Sequence, residues 1–215
     1  MARLLVFDLD GTLVDSSRDI AASVNAALAR AAPGAAEIPL EVILSFVGEG
    51  ARLLVERSLR EARLDLSADE LLPVYLECYA MRLLDTTRLY PGIAEALEAL
   101  DGTTLAVLTN KPGDLSRAIL EGLGVAGRFV RVLGAGDVPS RKPDPAGLLL
   151  LMAEAGAIPG ETWMVGDSAT DVDVARAAGV GAAGVTWGFN PGSLRAAGAD
   201  RLIDDPRELA SLATR

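Results

Sequence analysis

The sequence predicts an α/β fold in which a parallel β-sheet core is interrupted by a helical insert. Two features of the 215-residue chain predict this architecture. Beyond residue 100, short apolar runs alternate with helical patterns, which is typical of a parallel sheet with crossover helices. Between the first apolar run, residues 4–7, and that alternation, residues 17–85 carry only helical patterns. Because so long a helical block cannot be one crossover between neighbouring strands, we interpret it as an inserted domain.

The elements of the predicted core follow from the spacing of apolar residues. The strands are short apolar runs at residues 4–7, 105–108, 129–133, 163–165, 182–185 and 201–203. Helices are predicted at residues 93–100, 114–122, 146–154 and 169–178, with short ones near 193 and 208. Connections between parallel strands are right-handed. The predicted core domain comprises residues 1–16 and 86–215, and the predicted helical domain comprises residues 17–85.

Four helices are predicted within the insert. Ser16 and Asp19 have the pattern of an amino-terminal cap for the first helix, which ends at the Pro-Gly pair at 33–34. A short helix follows at residues 41–46, and a glycine loop at residues 47–50 precedes the third. Residues 67–70 form a capping-box sequence that opens the fourth helix.

Composition and charge exclude several classes of function. Half of the residues are hydrophobic and the mean hydropathy is +0.31, yet no apolar run is long enough to span a membrane, which predicts a soluble protein. The net charge of −10 argues against nonspecific binding to nucleic acid or to an anionic membrane. The absence of histidine excludes Ser-His and Cys-His triads, so carboxylates are the obvious proton carriers near neutral pH.

Cysteine usage and the amino terminus bear on the compartment. Cys78 is the single cysteine, which excludes an intrachain disulfide and a cysteine-cluster metal site. The first apolar run is cut at Asp8, too soon for the apolar part of a secretory signal. We therefore expect a cytoplasmic protein.

Two carboxylates stand at the carboxyl end of the first predicted strand, in the sequence Asp8-Leu9-Asp10-Gly11-Thr12. At i and i+2 of an extended chain, Asp8 and Asp10 point to the same face, at the edge where open α/β sheets bind ligands. Paired carboxylates repel each other unless a cation or a proton lies between them. The pair indicates a metal site or proton-transfer chemistry, whereas a capped turn is the structural alternative.

Polar residues also follow the second predicted core strand, and another lies in the loop after the third. Thr109-Asn110-Lys111 ends the strand at 105–108, which places a hydroxyl, an amide and a cation at the same sheet edge as Asp8. Lys142 follows the strand at 129–133 and precedes a proline that keeps it out of a helix. Lys111 and Lys142 are the only lysines among 20 basic residues, which favours sites that need a compact point charge. The alternatives are that Thr109 belongs to a polar turn at a helix start, that Lys142 is a surface charge, and that the rarity of lysine is due to chance.

A further pair of carboxylates, Asp167 and Asp171, follows the predicted strand at 163–165 as a helix begins. Hard oxygen ligands suit Mg²⁺, which keeps several waters and needs few protein ligands. A helix cap formed by Asp167 or Ser168 is the structural alternative.

These four motifs, in this order, resemble the signature of the haloacid dehalogenase superfamily, whose phosphatase members carry Asp-x-Asp-Gly-Thr after the first strand. The resemblance implies a three-layer, Rossmann-like parallel sheet with an inserted helical cap domain. It also implies that Asp8 is the nucleophile that forms an aspartyl-phosphate and that Asp10 is the general acid and base. Thr109 would hydrogen-bond the phosphoryl group, and Lys142 would offset negative charge on the nucleophile and phosphate.

The same resemblance implies a Mg²⁺ cofactor. Its ligands would be Asp8, the backbone carbonyl of Asp10, and Asp167, with Asp171 as a second ligand or an outer support. Lys111 receives no defined catalytic role.

Within the superfamily, the sequence resembles the phosphoglycolate phosphatases most, through residues 47–52, 90–92 and 109–112. Gly48, Glu49 and Arg52 of the cap, with Asn110, are the predicted substrate-binding residues, and Arg52 is the candidate for a substrate carboxylate. The expected reaction is hydrolysis of a small phosphorylated metabolite, most simply 2-phosphoglycolate to glycolate and phosphate. A sugar-phosphate mutase, a pyrophosphatase and a non-catalytic phosphate- or partner-binding module are alternatives, and the sequence leaves the oligomeric state open.

Overall fold

The computed structural model describes residues 3–213 and confirms the predicted α/β architecture. The strands are β1 Leu4–Phe7, β2 Val14–Asp15, β3 Arg88–Leu89, β4 Thr104–Pro112, β5 Arg131–Ala135, β6 Thr162–Gly166, β7 Gly181–Val185 and β8 Arg201–Ile203. The main sheet has six parallel strands in the order β5-β4-β1-β6-β7-β8, and a separate two-stranded sheet pairs β2 with β3.

The position of β1 in the sheet decides where a site can form. Leu5 of β1 is in register with Leu105 of β4 on one side and with Trp163 of β6 on the other. The chain runs outward from β1 to β4 and β5, then returns to the other side of β1 to form β6, β7 and β8. Ligands of open α/β sheets bind at the carboxyl ends of strands where the order reverses. The residues that follow β1, β4 and β6 therefore meet at the predicted edge.

Alternate residues of β1 face opposite sides of the sheet, and each side is covered by helices. The helices outside the insert are α5 Ile93–Ala99, α6 Gly113–Gly122, α7 Ala146–Ala155, α8 Ala169–Ala178, α9 Gly192–Ala197 and α10 Ala210–Ala213. Leu5 and Phe7 belong to one buried cluster, which includes residues of α5, α6 and α10, whereas Leu4 and Val6 belong to another, which includes residues of α7, α8 and α9. The result is a three-layer core, as a parallel sheet buried on both faces requires.

Residues 17–85 are helical, as predicted, and we refer to them as the cap. The cap helices are α1 Ser17–Ala31, α2 Leu40–Leu44, α3 Ala51–Glu61 and α4 Ala68–Ala80. The predicted capping box at the start of α4 is confirmed, because Glu70 N donates to Ser67 Oγ and Ser67 N donates to Glu70 Oε2. The domain boundaries at 16/17 and 85/86 stay a prediction.

The predicted cap of α1 by Ser16 and Asp19 is wrong. Ser16 makes no side-chain cap, and its hydroxyl donates to Asp10 instead. The Asp19 carboxylate accepts hydrogen bonds from the backbone and hydroxyl groups of Thr86 and Thr87, in the segment that leaves the cap just before β3. Both side chains fit a local capping pattern, but in the structure Ser16 hydrogen-bonds Asp10 and Asp19 hydrogen-bonds Thr86 and Thr87. Asp19 thereby joins the two chain segments that connect cap and core.

Two strands, β4 and β5, differ from the prediction by more than one residue. Strand β4 continues through Thr109, Asn110 and Lys111 to Pro112, because Pro112 pairs with Ala135 after a register shift. Strand β5 begins two residues later than predicted, after a short 3₁₀ turn at Ala126–Arg128. Within residues 3–213, none of the helices combines the length and the apolar character that a membrane span needs.

Candidate active site

Side chains from four segments meet at the carboxyl edge of the sheet. Asp8 follows β1, Thr109 lies near the end of β4 and Asp167 follows β6. All three residues are buried, with only 4–7% of their surface exposed to solvent. Lys142 reaches the same place from the loop after β5. The structure thus brings together the motifs that the sequence scattered over 160 residues.

Lys142 is held between two carboxylates. Its Nζ lies 2.9 Å from Asp8 Oδ1 and 2.7 Å from Asp171 Oδ1, and the side chain is 2% exposed. Burial alone would lower the pKa of Lys142, but the charges of Asp171 and Asp8 raise it above its ordinary value. A buried ion of this kind stays charged because both partners are charged. Lys142 therefore provides a fixed positive charge beside Asp8.

Asn110 fixes the backbone that carries Lys142. The Lys142 amide donates to Asn110 Oδ1 at 2.8 Å, and Asn110 Nδ2 donates to the Lys142 carbonyl at 3.0 Å. The same Nδ2 donates to the Gly48 carbonyl of the cap at 2.9 Å. Asn110 thus ties the lysine loop, strand β4 and the cap together.

Asp8, Asp167 and Asp171 form a carboxylate cluster. One oxygen from each lies within 4.8 Å of the others. Burial, together with the charge of Asp171, raises the pKa of Asp8 to about 6 even though Lys142 opposes the shift. Burial and the charges of Asp171 and Asp8 raise the pKa of Asp167 to about 8. A cation between these oxygens would relieve their repulsion.

The donor set of the cluster fits a divalent cation. Oxygen ligands are what Mg²⁺ and similar hard cations prefer. Asp167 Oδ2 accepts hydrogen bonds from the amides of Phe189 and Asn190, at 2.6 and 3.3 Å, and these orient the carboxylate. A Cβ at Gly11 would lie 2.3 Å from Asp167 Oδ2, so any residue other than glycine would clash with this carboxylate.

Asp171 is engaged on both oxygens. Oδ1 accepts from Lys142 Nζ, and Oδ2 accepts from the Ser168 hydroxyl at 2.7 Å and the Ser168 amide at 3.2 Å. The local pairing with Ser168 is the pattern of a helix cap, so Asp171 caps α8 and also anchors Lys142. Asp171 therefore has a structural role at the start of α8 and a second role in holding Lys142 at the site.

Asp10 lies next to the cluster and has partners that sequence reasoning missed. Lys111 Nζ lies 2.8 Å from Asp10 Oδ2 and 3.0 Å from Oδ1, and the Ser16 hydroxyl donates to Oδ1 at 2.5 Å. The Lys111 ammonium also lies 4.3 Å from the ring centroid of Tyr79 in cap helix α4. The rarity of lysine marked Lys111 in the sequence, but nothing there indicated that it contacts Asp10.

The cap closes a small cleft over these residues. The cavity is about 50 Å³, and its cap wall is largely apolar. The cap side is formed by Ile20, Val47, Gly48, Gly50, Ala51, Leu54, Tyr75, Leu76 and Tyr79. The core side includes Asp8, Asp10, Thr109, Asn110, Lys111 and Asp167, with Phe189 and Asn190 from a loop that sequence reasoning did not single out.

Glu49 and Arg52, two of the predicted substrate-binding residues, lie outside this cleft. Glu49 is exposed and forms an ion pair with Arg57. Arg52 is also exposed, and its guanidinium is paired with Asp69. The geometry gives no support to a role for either side chain in binding substrate, because Glu49, in the loop before α3, and Arg52, on α3, are both exposed and ion-paired outside the cleft. Gly48 lines the cleft.

Comparison with known proteins points to one family. Residues 2–179 match the family model described as haloacid dehalogenase-like hydrolase. A phosphoglycolate phosphatase of Pseudomonas putida KT2440 is 38% identical over 97% of this chain and 79% of its own length. A phosphoglycolate phosphatase of Haemophilus influenzae KW20 is 37% identical over 98% of this chain and 97% of its own.

A solved structure shows the same arrangement of elements. The crystal structure of a predicted phosphoglycolate phosphatase from Haemophilus somnus 129PT superposes with a TM-score of 0.92 at 33% identity, covering 99% of this chain and 98% of that one. The chain therefore belongs to the haloacid dehalogenase-like hydrolase family and is an enzyme of that family, a phosphoric monoester hydrolase.

Proposed function

We propose that the protein is a Mg²⁺-dependent phosphatase that hydrolyses 2-phosphoglycolate through an aspartyl-phosphate on Asp8. The observation that carries the proposal is the cluster at the sheet edge, where Lys142 lies 2.9 Å from Asp8 and the Asp167 carboxylate stands close by. A nucleophilic carboxylate, a fixed cation and a metal-compatible acidic pair are the parts that phosphoryl transfer needs.

In the proposed first step, an Asp8 oxygen attacks phosphorus and the bond to the substrate's alkoxyl oxygen breaks. Asp10 gives its proton to that oxygen, so glycolate leaves as the neutral alcohol. In the second step, Asp10 takes a proton from water, the water oxygen attacks phosphorus, and the acyl-phosphate bond breaks to release phosphate and restore Asp8. Lys142 and Thr109 stabilise the charge that spreads over the phosphoryl oxygens.

The proposed metal ligands are Asp8, the backbone carbonyl of Asp10, and Asp167. Bound there, Mg²⁺ would neutralise charge on the phosphoryl oxygens and on the carboxylates. We assign Asp171 the supporting role, because Ser168 and Lys142 already engage both of its oxygens. Asp171 then acts by holding Lys142 in place.

The size of the cleft and the names of the relatives support a small substrate. The cleft has little free space beneath the cap, which favours a phosphoryl group with a short substituent. Relatives at 37–38% identity are named phosphoglycolate phosphatase. We assign Gly48 and Asn110 to the substrate end of the cleft, because both line it and are hydrogen-bonded to each other.

A metabolite phosphatase panel tests the proposal. Purified protein with Mg²⁺ is assayed for phosphate release from 2-phosphoglycolate, glucose 1-phosphate, pyrophosphate and 4-nitrophenyl phosphate, with and without EDTA. We expect the highest kcat/KM for 2-phosphoglycolate and loss of activity on chelation. Asp8→Asn is the matched control, because it keeps the shape of the side chain and removes the nucleophile. Interconversion of sugar phosphates without phosphate release would indicate a mutase, and activity in Asp8→Asn would refute the proposed intermediate.

A further inference from the structure

Lys111, to which the resemblance assigns no role, makes the largest number of contacts with the proposed acid and base. A carboxylate has about four lone-pair sites. In Asp10, Ser16 and Lys111 occupy two of them on Oδ1, and Lys111 occupies one on Oδ2. Among residues 3–213, no other side chain hydrogen-bonds the Asp10 carboxylate, which leaves one site on Oδ2 for a substrate or water oxygen in the cleft.

The surroundings of Lys111 keep its ammonium in one place. The side chain is 6% exposed, and the Asp10 carboxylate balances its charge. On another side, the ammonium lies 4.3 Å from the ring centroid of Tyr79, close enough for a cation–π contact. Tyr79 is 1% exposed and belongs to α4, so it cannot move without the cap. The cap thus contributes directly to the placement of Lys111.

We infer that Lys111 is a positioning residue that orients Asp10 for proton transfer, and that Tyr79 of the cap supports it there. The inference rests on the proposed phosphatase function. Without the ammonium, the Asp10 side chain keeps only the Ser16 hydroxyl as a partner and can rotate out of line with the leaving oxygen. Misplacing a proton donor by about 1 Å costs on the order of 100-fold in rate.

This role makes a specific kinetic demand. The value of kcat/KM reports the steps up to formation of the aspartyl-phosphate, in which Asp10 protonates the leaving oxygen. An alkoxide such as that of glycolate needs this proton, whereas 4-nitrophenolate leaves without it. Loss of positioning therefore slows the alkyl substrate selectively. Loss of a group that binds phosphate, or general damage to the fold, slows both substrates alike.

The experiment measures kcat/KM with Mg²⁺ for 2-phosphoglycolate and 4-nitrophenyl phosphate in wild type, Lys111→Met and Lys111→Arg. For Lys111→Met we expect a loss of at least about 30-fold with 2-phosphoglycolate, within the usual range of general acid catalysis, and of less than about threefold with 4-nitrophenyl phosphate. Lys111→Arg should recover most of the loss, because a guanidinium can contact both Asp10 oxygens and stack on Tyr79. Equal losses on both substrates, or none, overturn the inference.

A second variant guards against failure of Lys111→Met to fold. Ser16→Ala removes the other donor to Asp10 with little change in volume and should show the same selectivity, more weakly, because a neutral hydrogen bond holds less firmly than a charged one. Equal effects of Ser16→Ala on the two substrates count against the inference.

Crystal structures of the wild type and Lys111→Met provide a readout that is independent of substrate. We expect the Asp10 carboxylate to turn away or become disordered in the variant. An unchanged Asp10 refutes the positioning role. Failure of the wild type to hydrolyse 2-phosphoglycolate in the panel contradicts the proposed function but leaves this structural comparison decisive for Lys111.

Discussion

Replacement of Asp19 tests how the cap is joined to the core. Asp19 lies in the first turn of α1 and is 2% exposed. Its Oδ2 accepts from the Thr87 amide at 2.8 Å and the Thr87 hydroxyl at 2.7 Å, and its Oδ1 accepts from the Thr86 hydroxyl at 2.6 Å. These bonds connect the chain entering the cap with the chain leaving it, so their loss should weaken the whole junction.

The expected magnitude follows from which donors lose their acceptor. In Asp19→Ala, the amide and hydroxyl of the fully buried Thr87 have no acceptor, whereas the exposed Thr86 can turn to water. A buried unsatisfied donor costs about 1–3 kcal/mol, so two cost about 2–6 kcal/mol. Asp19→Asn keeps one acceptor oxygen for Thr87 and can place its nitrogen towards Thr86, so we expect about 1–3 kcal/mol for this variant.

Urea unfolding at pH 7 measures both effects. Far-UV circular dichroism follows the helices of cap and core, and tryptophan fluorescence follows the core alone, since Trp163 and Trp187 both lie there. Asp85→Asn is the matched control: it changes an exposed aspartate on the same linker and should stay within about 0.5 kcal/mol of wild type. Wild-type stability of Asp19→Ala would refute the assignment of Asp19 as a junction residue.

The pH dependence gives a second check on Asp19. Burial would raise its pKa, but hydrogen bonds from Thr86 and Thr87 outweigh this and hold the pKa below the ordinary value of 3.8. A depressed carboxyl pKa stabilises the folded state fully above the unfolded pKa, and that stabilisation is lost as the pH falls through the folded value. The stability gap between wild type and Asp19→Asn should be constant from about pH 5 to 7 and shrink below about pH 4. A gap that widens on acidification would contradict the reasoning.

Three further predictions concern the cleft. Lys142→Arg should lower kcat at least about tenfold, which corresponds to about 1.4 kcal/mol of transition-state stabilisation, because a planar guanidinium cannot replace a point charge between two carboxylates. Lys111→Arg should lower kcat less, and circular dichroism checks that both variants fold. Asp8→Asn should abolish labelling of the enzyme by substrate phosphate, and an adduct on another residue would refute the nucleophile. Arg52→Gln and Glu49→Gln should change KM for 2-phosphoglycolate by less than about threefold, because both are ion-paired outside the cleft; a larger rise confined to this substrate would restore their predicted role.

The family and the groups that meet at the sheet edge could be predicted because local sequence carries them. A buried strand that ends in carboxylates, as at Asp8 and Asp167, is readable in a few residues, and the ends of parallel strands must meet at one edge. The fold class followed from the change between a helical block and alternating strands and helices. The two lysines could be singled out by composition alone, and both proved to be buried beside a site carboxylate.

The partners of each side chain were decided only by the tertiary structure. Ser16 and Asp19 carry the local pattern of a helix cap, but in the structure Ser16 donates to Asp10, and Asp19 accepts from Thr87. Arg52 belongs to a sequence segment, residues 47–52, that resembles a substrate-binding motif, yet it lies on α3, where its exposed side chain is paired with Asp69. Local sequence determines which chemical groups stand at the ends of strands, whereas contacts between residues distant in the chain depend on how cap and core pack, and no local pattern encodes that packing.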